Sequence, residues 1–473
     1  MRPARRLSPI GMIGIVCGLA GAFIGYKASA QTVAITNGTV VIGDGSEPIQ
    51  GGTVVVRNGR IVAAGPGVAI PGGAEVIDAN GKWVTPGIVA GFSRLGLAEV
   101  DLGADGSDDT DTGNSPFSAA IDVTPAVNPK ASTIAVSRTD GVTRAVVAPV
   151  AGRSIFAGQG AVIDTGDDME PILRARAFQF VEMGEGGAGR AGGSRSSTFV
   201  LFRNALREAR DLGGLRYQPL TGRQQIDPQQ AEVPYEEQPN PNLLSRDARR
   251  SEDVLLTRFD AAALVPVVRG RQLLLVHVER ASDILNVLEL RREFPSLKIA
   301  LVGASEGWTV ADRIADSGVW VIASALNDLP ASFEMLAATQ SNIGRMRAAG
   351  VKVAIGTIND DDTRDVRNQR QYAGNLVALA KVRGPAGHSW GEAFAMISPR
   401  PAEAVGLGRE TGSLATGRRG DVVIWSGDPL QVSSNAEAVY IDGVQQPMDS
   451  RQTKLRQRYQ DLGRDVLPEA YRR

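Results

Sequence analysis

Two histidines and a single cysteine set the first limit on the chemistry open to this 473-residue chain. His277 and His388 must serve any imidazole-based catalysis or metal binding. Cys17 lies in an N-terminal stretch that reads as a leader, so the mature chain is left without a disulfide, a thiolate zinc site or a cysteine nucleophile. His277 stands in the run Leu273 to Glu279, Leu-Leu-Leu-Val-His-Val-Glu. Side chains two apart on a strand share a face, so His277 and Glu279 point the same way. His388, in Gly387-His388-Ser389-Trp390, precedes a late helix and reads as a surface residue. Two glycine- and aspartate-rich stretches carry less. Gly184 to Gly189 matches G-x-G-x-x-G, but with no clear preceding strand it reads as a flexible loop. Asp101 to Gly106 opens like a calcium loop, yet Gly103 and Thr112 fill two ligand positions, which leaves a solvated acidic loop.

The elements that must position these residues change character along the chain. Thr32 to Ile77 holds short apolar runs broken by Asn37-Gly38, Gly43-Asp44-Gly45 and Asn58-Gly59, the pattern of tight hairpins. From about residue 84, buried-strand runs alternate with helical ones. Thr143 to Val150 and Leu273 to Val278 are strands, the latter followed by a helix over Ala281 to Glu293. Lys298 to Val302, Val319 to Ile322 and Val351 to Ile355 are strands, each followed by a helical stretch. Parallel βα units in series favour a closed barrel. Strand texture returns at Asp421 to Trp425 and Ala438 to Ile441, which pair most naturally with the N-terminal strands. Residues 183 to 196 and 215 to 245 read as long loops or an insertion over the barrel. The last residues form a charged helical tail.

Composition adds bounds. At 43% hydrophobic and 22% charged, the chain can bury a large core. A net charge of -1 gives no global field for nucleic acid. Arg2, Arg5 and Arg6, the apolar run from Ile10 to Ile24 and the small-residue site Ala28-Ser29-Ala30 read as a Sec-type signal peptide over residues 1–30. Cleavage before Gln31 removes four cations and no acid, which takes the net charge from -1 to -5. The expectation is an exported, periplasmic protein with no membrane span after cleavage.

The most specific stretch is Val84-Thr85-Pro86-Gly87-Ile88-Val89-Ala90-Gly91-Phe92-Ser93-Arg94-Leu95-Gly96. It resembles the first barrel strand of the amidohydrolase superfamily, where Val-Thr-Pro-Gly-Leu-Ile-Asp-Ala-His-Thr-His closes a small β-module and opens the barrel. Asn37-Gly38 with Val40 and Ile42, and Gly59-Arg60-Ile61-Val62-Ala63, resemble the family's opening strands. Thr411-Gly412-Ser413-Leu414, Gly417 and Gly420 to Trp425 resemble its closing signature. The likeness covers about residues 32 to 447, is weakest between 165 and 255, and looks closest to the imidazolonepropionase-like secreted branch. It implies an α/β fold: a TIM-like (β/α)8 barrel of the metal-dependent hydrolase type with a small β-sandwich formed from both chain ends. The implied parts are residues 31–84 and 406–447 for the sandwich, 85–405 for the barrel with an insertion about 180–250, and a tail at 448–473.

By resemblance the activity is hydrolysis of non-peptide, cyclic amide-like carbon–nitrogen bonds, with zinc or another divalent metal lowering the pKa of the attacking water. The departures bear on that chemistry. The two first-strand histidines are replaced by Phe92 and Arg94, and the eighth-strand aspartate by Ile358. Ser305-Glu306 stand about where the sixth-strand histidine belongs, and His277 alone looks kept, on the fifth strand. Phe92 cannot ligate, and Arg94 repels a cation. A zinc pair is therefore not expected. His277, Glu279, Glu306 and Asp360 could converge at the strand ends and hold one weak Mn²⁺, Mg²⁺ or Ca²⁺ ion, or they are solvated residues of the barrel mouth. Two functions stay open. One is a divergent hydrolase with catalysis drawn from His277, Glu306 or Asp360. The other is a non-catalytic envelope binding protein whose pocket is lined by Phe92 and Arg94. Either takes a small molecule at the barrel mouth, and an oligomer is compatible with both.

Overall fold

The computed structural model describes residues 32–99, 108–214, 255–325, 327–358, 366–384 and 386–460. Residues 1–31, where a leader is expected, the Asp101 to Gly106 loop, the whole Gln- and Pro-rich stretch 215–245, Asp360 and the end of the tail lie outside the described residues.

Two eight-stranded sheets organise the chain. The first joins both ends: β1 (Thr32–Val40), β2 (Ile49–Arg57), β3 (Arg60–Gly65), β4 (Glu75–Asp78) and β5 (Trp83–Pro86) with β14 (Val422–Trp425), β15 (Ala436–Ile441) and β16 (Val444–Gln445). The join is antiparallel pairing of β14 on β5, with Val423 opposite Thr85. Trp425, wholly buried, donates its indole N–H to Thr85 Oγ1 at 2.9 Å and ties the two ends again. Asn58-Gly59 makes the expected tight turn between β2 and β3, both residues in the left-handed region. Asn37-Gly38 does not. β1 runs straight through it, with register shifts against β2 on either side of Gly38. One edge of β1 pairs with β4 before this point and with β5 after it. A Cβ at Gly38 would lie 2.6 Å from Val84 Cγ2, so the glycine is needed for strand approach rather than for a turn.

The second sheet is a nearly closed barrel in strict chain order: β6 (Ile88–Ser93), β7 (Val142–Val147), β8 (Phe156–Asp164), β9 (Ile172–Glu182), β10 (Leu273–Val278), β11 (Lys298–Gly303), β12 (Trp320–Ala323) and β13 (Lys352–Ile355). Its inward residues form one apolar cluster that includes Phe92, Val146, Phe178, Phe180, Leu275, Val302, Ile322 and Ala354. Phe178 and Phe180 illustrate the two-residue period that aims alternate side chains inward. The other faces of the strands pack under the surrounding helices in a separate, larger cluster.

Two features depart from a uniform parallel βα barrel. β8 runs antiparallel to both β7 and β9, because short connections rather than crossover helices join them. The stretch after β9 is helical, with helices at Glu185–Arg190 and Arg195–Gly214, where the sequence suggested a long loop. The glycines of Gly184 to Gly189 thus sit at a strand-to-helix junction after all.

The seam between β6 and β13 closes by side chain and glycine rather than by a ladder. Gln369, fully buried, donates from Nε2 to the carbonyls of both Val89 and Ile355 at 3.0 Å. Thr357 Oγ1 donates to the Phe92 carbonyl at 2.8 Å. Gly91 and Gly356 let the strands touch: a Cβ on Gly356 would lie 2.9 Å from that of Phe92.

Arg144, on β7 and fully buried, fastens the barrel to the end-joining sheet. Its guanidinium holds Asp421 through two bonds at 2.9 and 2.7 Å, and reaches Asp164 at 3.2 Å and Asp442 at 3.0 Å.

Candidate functional site at the barrel mouth

β9 and β10 are parallel neighbours, and their ladder places Glu182 beside His277 at the C-terminal end of both strands. Active sites of such barrels sit at this end. His277 Nδ1 lies 2.8 Å from both carboxylate oxygens of Glu182. His277 Nε2 lies 3.1 Å from Glu279 Oε1, and Glu279 Oε2 accepts the Ser305 backbone N–H at 2.7 Å. The imidazole therefore stands between two carboxylates, one at each ring nitrogen. Glu279 is 2% exposed, whereas Glu182 and His277 are 17% and 19% exposed, so the group is open to solvent on the Glu182 side.

The charges set its protonation. Burial alone would pull the His277 pKa down, but the charge of Glu182 and the hydrogen bonds to Glu182 and Glu279 outweigh it and hold the ring well above its usual 6.5. Burial pushes the Glu182 carboxyl up, and the His277 charge and hydrogen bond more than offset this, leaving it below the ordinary range. The surroundings thus favour the protonated ring, and each of its nitrogens faces a carboxylate oxygen.

Around this core lies a further ring of ion pairs. Glu334 accepts the Glu185 backbone N–H at 2.7 Å and Arg195 Nη2 at 3.0 Å. Arg195 Nε also donates to Asp283 at 2.8 Å. Burial raises the Glu334 pKa, and the charges of Glu185 and Glu279 add to that rise.

The residues singled out from sequence are distributed unevenly. His277 and Glu279 do meet, as their shared face required. Glu306 does not join them: its two oxygens accept the backbone N–H groups of Ala281 at 3.0 Å and Ala337 at 3.1 Å, so it fastens loops together. Asp360 lies outside the described residues. Phe92 is 1% exposed and part of the barrel interior, 5.2 Å from Phe180 between ring centroids. Arg94 is 5% exposed, donates to the Ala148 carbonyl at 2.7 Å, and lies 4.8 Å and 5.5 Å from the Phe92 and Phe180 ring centroids. Ile358 is half-buried against the same interior cluster. His388 is a correction. It is buried rather than on the surface, and burial lowers its pKa. Glu182 and Glu334 were not singled out from sequence. Glu182 ends the run Phe178-Gln-Phe180-Val-Glu182, whose period of two was the signal available.

Among the described residues, no helix is long and apolar enough to cross a membrane.

Comparisons with known proteins agree on one lineage. Residues 309–446 match the model of an amidohydrolase family. The chain is 24% identical over 411 residues to the amidohydrolase tasK of Hapsidospora irregularis, covering 80% of this chain but only 38% of that much longer protein. It is 26% identical over 399 residues to the imidazolonepropionase of Acidiphilium cryptum (strain JF-5), covering 81% of this chain and 88% of the other. The crystal structure of an amidohydrolase from Thermotoga maritima MSB8 superposes with a TM-score of 0.71 at 22% identity, over 87% of this chain and 99% of the other. The chain is thus similar to amidohydrolases in sequence over about four fifths of its length and in fold over 87% of it.

Proposed function

We propose that this chain hydrolyses a carbon–nitrogen bond in a small molecule at the barrel mouth: water adds to the carbon and loses a proton to Glu182, the C–N bond breaks as His277 gives its Glu182-facing Nδ1 proton to the departing nitrogen, and the protonated Glu182 then returns a proton to His277. The observation that carries the reading is the imidazole held between Glu182 and Glu279 at the strand ends. An amine leaves poorly as an anion, so a proton delivered to it lowers the barrier. Glu182 orients the ring and keeps it charged, while the buried Glu279, tied to Ser305 N–H, fixes the other side.

A pair of divalent ions does not fit the residues present. Where the resemblance expects two histidines, at the end of β6 and just after it, stand Phe92 and Arg94, both buried, and Ile358 follows β13. Both nitrogens of His277 are engaged by carboxylates, and a metal ligand needs a neutral ring with a free lone pair. Among the described residues no group of three or more His, Cys, Asp or Glu is arranged to hold a metal. No step of the proposed reaction therefore runs through a metal. The leader expected over residues 1–30 would place this activity in the cell envelope.

Phe92 and Arg94, at places where the resemblance expects metal ligands, favour a second reading, a binding protein that retains small molecules without turnover. One experiment separates them. The purified protein, treated with chelator, is assayed against cyclic amides, N-acyl amino acids and amidines, beside His277→Ala and Glu182→Gln. Turnover that survives chelation and is lost in both variants is expected. Saturable binding without turnover would establish the second reading, and turnover abolished by chelation would overturn the metal-free scheme.

A further inference from the structure

A cavity of about 480 Å³ opens at the opposite end of the barrel, where β10, β11 and β12 begin. Its floor is apolar and includes Leu273, Ile299 and Trp320. Its rim carries four cations, Arg174, Arg271, Arg291 and Lys298, against one carboxylate, Glu403. The whole chain has a net charge of -1, so this concentration of positive charge is local and not a reflection of composition.

The four cations are not equally committed. Arg174 pairs with Glu410 at 2.6 Å, and Arg291 donates to the Ser317 carbonyl at 2.7 Å. Arg271 and Lys298 engage no described residue by hydrogen bond or ion pair, and both are exposed at the cavity. Glu403 does little to offset them, because it faces the charges of Arg400 and Arg418. A concave, low-dielectric surface lined by one sign of charge focuses its field and concentrates counter-ions. An apolar floor beneath such a rim selects a ligand with an apolar body and an anionic group.

We propose that this cavity is a second binding site, for a small organic anion bearing carboxylate or phosphate groups on a flat or aliphatic body. Arg271 and Lys298 are its primary contacts, and Trp320 packs against the body of the ligand. The site is separate from the barrel mouth. Leu273 in the cavity and His277 at the mouth share β10, four residues apart, or roughly 13 Å along a strand. It does not depend on the chemistry proposed for His277.

The test is calorimetric titration of the mature protein with citrate, phenyl phosphate and inorganic phosphate at fixed ionic strength. Saturable binding is expected, tighter for phenyl phosphate than for inorganic phosphate. Arg271→Ser with Lys298→Ser should weaken it at least tenfold, Trp320→Ala should remove the preference for the phenyl ligand, and His277→Ala should leave both unchanged. Arg271 and Lys298 are exposed, so their loss should not unfold the chain, and circular dichroism checks this. Absence of saturable binding, or equal binding by the double variant, would overturn the proposal. So would retention on phosphatidylglycerol vesicles with no affinity for the soluble anions, which would reassign the patch to a membrane surface.

Discussion

Replacing Arg144 by methionine should destabilise the protein more than any surface charge change, and in a pH-dependent way. Arg144 is fully buried and is held by Asp421, Asp164 and Asp442. Asp421 is 3% exposed and Asp164 14%. Removing the cation leaves these carboxylates buried without their main partner. Breaking a buried pair by deleting one member costs about 3–5 kcal/mol, a large share of the roughly 5–15 kcal/mol that stabilises a typical domain. The assay is urea denaturation followed by fluorescence at pH 7.5 and pH 5. At pH 7.5 the variant should lose about 3 kcal/mol or more. At pH 5 the loss should shrink, because carboxylates without Arg144 are pushed up by burial and take a proton instead. Adding Asp421→Asn to Arg144→Met should recover part of the loss. A variant within 0.5 kcal/mol of the parent at pH 7.5, a shift on the order of surface substitutions, would refute the claim that this cluster fastens the barrel to the end-joining sheet.

Three further outcomes follow from the geometry. Burial pushes the Asp164 pKa up to about 6 despite Arg144, against 3.8 for the free group, so the folded chain takes up a proton between pH 6 and 4 that the unfolded chain does not. This group therefore adds stability as pH falls through that window, and Asp164→Asn should flatten that part of a melting-temperature profile. Gln369→Leu removes both bonds across the β6–β13 seam and should cost about 2 kcal/mol, read by chemical denaturation. Gly91→Ala drives a Cβ into the Ile355 carbonyl at the same seam and should yield insoluble protein or a clearly lowered melting temperature, whereas Gly189→Ala, on a helix with open space around it and no positive φ, should cost far less.

The frame of the fold was legible because strand and helix periods are written in local sequence. The βα units from β10 to β13 stand where the alternation of apolar runs placed them, and the closing strands did join the opening ones. What escaped was decided by partners distant in sequence. Asn37-Gly38 carries a hairpin signature, but β4 and β5 share one edge of β1 and pull it straight past the turn. β8 looks like any buried strand, and nothing local states that it runs antiparallel. His388 precedes a helix with polar neighbours, yet tertiary packing buries it. Glu182 became visible as a site residue only when the β9–β10 register set it beside His277, 95 positions away in sequence. Glu306 shows the converse: its position after β11 suggested the site, but two backbone amides hold it elsewhere.

The chain has only two histidines, so the central claim can be read directly by nuclear magnetic resonance. A pH titration of the imidazole nitrogens in the purified protein, assigned with His277→Asn, reports each ring alone. The account requires His277 to remain doubly protonated well above pH 6.5, with both N–H signals shifted by strong hydrogen bonds, and to lose that behaviour in Glu182→Gln. His388 should stay neutral to below pH 6.5. A His277 ring that titrates near 6.5, or that gives up its Nε2 proton when zinc or manganese is added at stoichiometric concentration, would contradict a metal-free acid held between two carboxylates.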